Sequence, residues 1–200
     1  MKKLIALLLA VMLLTGTAAV LAEEAPAALD PTEELVLEVM EAQDGKLIRD
    51  GVEYTLYLER VPEGYTQRLT NENGYPEIIV ESADPTKPIY YANIECEDTL
   101  DATFNYATLS DENKLMFRQE AESLFAAPET EELVTEHGTP YLLIDETDCP
   151  TDWALLTTLY KGFIVNVYVF SFSEDGPLTE EELTIAKQMM SDVWPVEVIK

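Results

Sequence analysis

The sequence predicts an α+β fold, an antiparallel β-sheet with helices packed on it. Three observations carry this. Period-two alternation of apolar and polar residues recurs in short runs from Val52 onward, each closed by Gly, Pro, Asn or Asp. Two segments, at 110–126 and 178–193, change to helical spacing. No internal repeat or Ser/Gly linker divides the chain, so residues 35–200 are expected to form one domain.

Taken in order, the chain opens with Lys2 and Lys3 and then carries no charge across residues 4–22. A basic start, an apolar run and small residues around Val20-Leu21-Ala22 make a signal-peptide layout of bacterial type. Cleavage is expected after Ala22, with a weaker site after Ala19. Nineteen uncharged residues also approach the length of a membrane span, so a retained anchor is the alternative. No cysteine lies at the cleavage site, which argues against a lipid anchor. The expected destination is secreted or extracytoplasmic. Residues 23–34, rich in Ala, Pro and acid, read as a flexible lead-in.

Leu35, Leu37 and Val39 alternate with Val36, Glu38 and Met40, which allows a first strand or a short helix. Val52, Tyr54, Leu56 and Leu58 against Glu53, Thr55, Tyr57 and Glu59 predict a strand with one buried face. Pro62-Glu63-Gly64 is a turn, and a strand over 65–69 would complete a hairpin. Asn71, Asn73 and Gly74 mark the next turn. Two β-rich runs at 77–82 and 88–96, parted at Asp84-Pro85-Thr86-Lys87, then extend an antiparallel meander.

At 110–126 the period becomes helical. Ser110 can cap, Asp111 and Glu112 suit the positive end of the dipole, and Phe117, Ala121, Leu124 and Phe125 share a face. Pro128 stops it. Strands at 133–136 and 139–144 are expected to turn at His137-Gly138. The longest pair, 153–160 and 163–172, joins at Lys161-Gly162. In the second of these, Phe163, Val165, Val167 and Val169 oppose Ile164, Tyr168, Phe170 and Phe172, so both faces are expected to be buried and the strand central. Helices on opposite sides of the sheet, an α/β/α sandwich, would satisfy that pattern. The last helix carries a capping box at Thr179 and Glu182 and a hydrophobic staple at Leu178 and Leu183. Leu183, Ala186, Met190 and Val193 form its apolar stripe, and Trp194-Pro195 is expected to end it.

Meander, helix, long hairpin and C-terminal helix, in that order from about residue 50 to 195, resemble the Mog1/PsbP-like α/β/α sandwich. The stretch Val61-Pro62-Glu63-Gly64-Tyr65, the hairpin over 155–172 and the run Leu178-Thr179-Glu180-Glu181-Glu182-Leu183 look most like its secreted bacterial members. The resemblance implies a non-catalytic adaptor or binding role, and no functional residue is carried over from it.

Charge narrows the function. The 200 residues hold 12 bases and 39 acids, a formal charge of −27. Without the first 22 residues, 10 bases face 39 acids. Such a chain repels phosphate backbones and anionic lipid headgroups, which excludes nucleic acid and anionic membrane surfaces as partners. It favours an unknown protein, a cationic peptide or another cationic ligand.

The chemical inventory is short. His137 is the only histidine and falls at an expected turn. A nucleophile pair with Cys149 is disfavoured, because Asp145, Glu146, Asp148 and Asp152 would hold the thiol protonated. Gly-x-Ser-x-Gly and glycine-rich phosphate loops are absent, and a closed zinc site would need four ligands. No catalytic residue is therefore assigned. A carboxylate-pair hydrolase is the competing enzymatic reading; Glu95 and Asp101, both expected as outward strand residues, are its faint candidates. A calcium-binding envelope protein is another reading, with Asp145, Glu146, Asp148 and Asp152 as candidate ligands, although their spacing departs from the twelve-residue calcium loop. Cofactors are otherwise expected to be none. Cys96 and Cys149 could pair in an oxidising compartment, closing about 54 residues for a gain on the order of 4 kcal/mol. Cys96 also alternates with Tyr90, Ala92 and Ile94, which suits a buried apolar position. Tyr57, Tyr65, Tyr75, Tyr90 and Tyr91 could build a ligand platform or serve as core and rim residues. The reading favoured by the sequence is a secreted, non-enzymatic binding or interaction domain.

Overall fold

The structure, a computed structural model, describes residues 46–71, 74–96, 102–146, 153–171 and 178–199. The signal segment, the lead-in, the first element at 35–40, Asp101, Asp148, Cys149 and Asp152 lie outside these residues.

Ten strands form two antiparallel sheets among the described residues. The larger sheet contains β3 (Tyr65–Thr70), β4 (Glu77–Ser82), β5 (Ile89–Cys96), β6 (Glu129–Val134), β7 (Pro140–Asp145), β8 (Trp153–Tyr160) and β9 (Phe163–Phe170). Its order is β3-β4-β5-β9-β8-β7-β6, with every neighbouring pair antiparallel. The strand with two apolar faces, β9, is fourth of seven. Lys161 and Gly162, with φ of 51° and 74°, turn β8 into β9 through two residues, as the twist of a tight hairpin requires.

The alternation along β9 feeds two cores. On one face, Val165, Val167 and Val169 join Tyr90, Ala92, Ile94 and Cys96 of β5 and Leu156 of β8. They lie under helix α2 (Glu180–Asp192), which contributes Ala186, Met189 and Met190. On the other, Ile164 joins Leu142, Ile144, Trp153, Leu155 and Leu159 beneath a short 3-10 helix (Tyr106–Thr108) and helix α1 (Asp111–Glu122), which adds Phe117. Burying each large apolar side chain contributes about 1.5–3 kcal/mol, so both faces have to be covered. The helices accordingly sit on opposite faces of the sheet, and the α+β class is as the sequence predicts.

Three expectations are corrected. First, the strand over 65–69 does not pair with the one before it. Strand β2 (Val52–Leu58) belongs to a separate three-stranded sheet, between β1 (Leu47–Arg49) and β10 (Val193–Glu197). Asp50 and Gly51 have φ of 54° and 78° and fold β1 back on β2 through two residues, while the C-terminal strand takes its other edge. Second, Trp194-Pro195 does more than end α2, since both residues lie in β10. Glu59 N–H donates to Asp192 O at 3.0 Å and Val198 N–H to Glu53 O at 2.8 Å. Residues 192, 194, 196 and 198 therefore face β2, and the Pro195 nitrogen faces the free edge, where a missing donor costs no ladder bond. Third, the β6–β7 connection spans residues 135–139 rather than two residues. It is closed by Thr135 N–H to Thr139 O at 2.9 Å and Gly138 N–H to Thr135 O at 3.0 Å.

Candidate functional site

Helix α2 has a second face. Thr179 Oγ1 accepts from Glu182 N–H and the Glu182 carboxylate accepts from Thr179 N–H, which fixes where the helix starts. With Ala186, Met189 and Met190 turned to the sheet, Glu181, Thr184 and Gln188 fall on one outward stripe, bordered by half-buried Ile185, which packs against the core. This stripe and Glu180 form one wall of an open groove of about 950 Å³. The opposite wall is Arg60, Val61, Pro62 and Glu63. Tyr65 N–H donates to Pro62 O at 3.1 Å, and Gly64, with φ of 81°, completes this turn. The groove thus holds three acidic residues, Glu63, Glu180 and Glu181, along with Val61, Pro62 and Ile185.

Its one base is already engaged. Arg60 Nε donates to Asp192 Oδ2 at 2.8 Å and Nη2 to Asp192 Oδ1 at 2.7 Å, a two-pronged pair, and Nη2 also reaches Glu136 Oε2 at 3.1 Å. The hydrogen bonds that Arg60 donates to Asp192 and then to Glu136 raise its pKa above its ordinary value. The Asp192 side chain is 1% exposed, so Arg60 is what makes its charge tolerable there. His137 and Glu59 stand beside Asp192, with ligand atoms of all three within 4.8 Å of one another. His137 also lines a second cleft, of about 390 Å³, together with Trp194, Tyr160, Thr135, Thr139 and Ser191.

The clearest electrostatic anomaly lies on the α1 face of the large sheet. Glu95 is 9% exposed, and burial pushes its carboxyl up to about 7 although Asn166 Nδ2 donates to Oε1 at 3.2 Å and opposes the shift. Asn166 also donates to Asn93 Oδ1 at 3.0 Å and accepts from Thr157 Oγ1 at 2.7 Å. The register sets Glu77, Asn93, Asn166 and Thr157 in one row across β4, β5, β9 and β8. Burial also raises the Tyr168 hydroxyl, helped by the charges of Glu95 and Glu77. Glu95 is therefore not the outward strand residue expected from alternation; the partner strands carry a buried polar row on that face. Neither cleft is lined by Glu95 or Glu77.

The other expected site residues separate. Asp145 closes β7, and its Oδ1 accepts from Glu146 N–H at 2.7 Å. Glu146 is buried and its Oε1 accepts from Ala126 N–H at 2.9 Å and Ala127 N–H at 2.8 Å, so one oxygen of this calcium candidate holds the chain after α1. Asp148 and Asp152 lie outside the described residues, as does Cys149; Cys96 is fully buried at the end of β5. Four of the five candidate tyrosines fall in three separate places. Tyr90 packs on Tyr65 in the α2-side core, Tyr91 meets Phe170 on the other face, and Tyr57 meets Trp194 on the small sheet.

The acidic groove and the Glu59, His137 and Asp192 convergence were missed by sequence reasoning. The spacing of Glu181, Thr184, Ile185 and Gln188 was a local signal for the first. The second joins positions up to 133 residues apart, with only the solitary histidine to mark it. Among the described residues no helix is long and apolar enough to cross a membrane. No family model, curated protein or solved structure matches the chain.

Proposed function

We propose that the protein is an extracytoplasmic, non-enzymatic binding domain that takes a basic segment of a partner polypeptide in the groove between residues 60–63 and α2. The observation that carries this reading is the groove itself: Glu63, Glu180 and Glu181 line it together with Val61, Pro62 and Ile185, and Arg60 is spent on Asp192 and Glu136. Lysine or arginine side chains can lay their aliphatic stems on Val61 and Ile185 and reach the carboxylates with their charged ends. The net charge of −27 adds long-range attraction for the same partner. The secretion signal and the binding role implied by the Mog1/PsbP-like resemblance are in keeping with it.

Calorimetry with an unstructured Lys/Arg-rich peptide tests the reading. The variant combining Glu63→Gln, Glu180→Gln and Glu181→Gln is expected to weaken binding at least tenfold, because three charge contacts at the groove are lost. Asp111→Asn combined with Glu112→Gln and Glu120→Gln removes the same number of exposed charges from α1, outside the groove, and is expected to leave the affinity within twofold. Equal loss in both variants would reduce the effect to net charge and remove the groove from the account.

A further inference from the structure

We propose that Glu59, His137 and Asp192 form a binding site for a divalent first-row transition metal, with zinc as the working ion; this goes beyond the peptide-binding reading and does not depend on it. The three side chains come from the end of β2, the β6–β7 turn and the end of α2, and their ligand atoms lie within 4.8 Å of one another. Two carboxylates and an imidazole are a donor set that zinc accepts, whereas calcium and magnesium prefer oxygen alone. Tetrahedral zinc at its usual bond lengths needs donors about 3.4 Å apart. Closing from separations of up to 4.8 Å asks for rotation of Glu59 and His137, and both are exposed.

The backbone under each ligand is already fixed. Glu59 N–H donates to Asp192 O, which ties the first ligand to the third. His137 sits in the turn closed by Thr135, Gly138 and Thr139, with its ring 6.2 Å from Trp194, edge-on. Asp192 is oriented by the two-pronged Arg60 contact, and each of its oxygens keeps a second lone pair for a metal. Arg60 then plays the part that outer hydrogen-bond partners play around metal-binding carboxylates. Charge agrees: Glu59, Glu136 and Asp192 against Arg60 leave two negative charges, which one divalent ion neutralises. With three protein ligands, a fourth zinc position would be left for water or a partner's side chain.

The test is zinc titration of the whole protein, followed by metal content after dialysis and by the NMR signals of its one imidazole. The expected result is one zinc per chain, with the His137 ring signals moving to saturation at that ratio. His137→Ala should lose at least tenfold in zinc affinity and Glu59→Gln several-fold, while Asp145→Asn, remote from the cluster, should match the parent. Both ligands are exposed, so the variants are expected to fold, and an unchanged melting temperature checks this. Imidazole signals that stay still while zinc binds, equal zinc affinity in His137→Ala, or displacement of the zinc by a tenfold excess of calcium would each overturn the proposal. A peptide affinity unchanged in these variants would leave the groove reading standing on its own.

Discussion

Glu95 shows how one residue's surroundings set its chemistry. Alternation along β5 told which face it occupies and nothing about what lies on that face, because the groups it interacts with there, Asn166 and Tyr168, are more than 70 residues away. The raised pKa makes a stability prediction. At low pH the folded and unfolded chains both hold the Glu95 proton. Above its ordinary value of 4.5 the unfolded chain releases the proton while the folded chain keeps it to about 7, so stability falls across that window. By pH 8 the accumulated loss from this group is about 3 kcal/mol. Glu95→Gln keeps the shape and the acceptor for Asn166 without the charge. Urea unfolding should show the variant equal to the parent at pH 4 and more stable by about 3 kcal/mol at pH 8; parallel pH profiles would contradict the burial account. Arg60 and Asp192 were illegible for the same reason, since a pair separated by 132 residues leaves no spacing signal.

Elements divide by how local their causes are. The β8–β9 hairpin, the starts of both helices and the capping box were readable because each is decided within a few residues, by Lys161-Gly162, by Ser110 and by Thr179 with Glu182; the helix ends were not, since α1 stops at Glu122 rather than near Pro128 and Val193 belongs to β10. The three-stranded sheet was not, because β2 finds β10 about 135 residues later and only the tertiary fold brings them together. Pro195 read as a helix stop for a sound local reason, and the same residue suits an edge strand once the ladder bonds fall on its neighbours. At α2 the cap can be tested directly. Thr179→Ala removes the acceptor for Glu182 N–H and is expected to cost about 1 kcal/mol in chemical unfolding. Because the helix start also places Glu180 and Glu181 on the groove, the same change should weaken the basic peptide by several-fold. A variant as stable as its parent would show that the Glu182 contacts hold the helix start without the hydroxyl.

At the scale of the molecule, two apolar cores on a seven-stranded sheet leave most of the described acids at the surface, with Glu77, Glu95, Glu146 and Asp192 buried, and the net charge of −27 becomes a long-range field for whatever meets it. Composition disclosed that field; where it is focused depends on the 60–63 turn meeting α2, which follows from β2 and β3 entering different sheets. The central claim is that a basic segment docks at that meeting point. Amide chemical-shift mapping with the Lys/Arg-rich peptide tests it most directly, at about 0.1 M salt and again near 1 M, where screening shortens to about 3 Å. The account predicts shifts concentrated at residues 60–63 and 180–188 that fade at high salt. Shifts centred on the outer strands β3 and β4, or none at the groove at low salt, would contradict it.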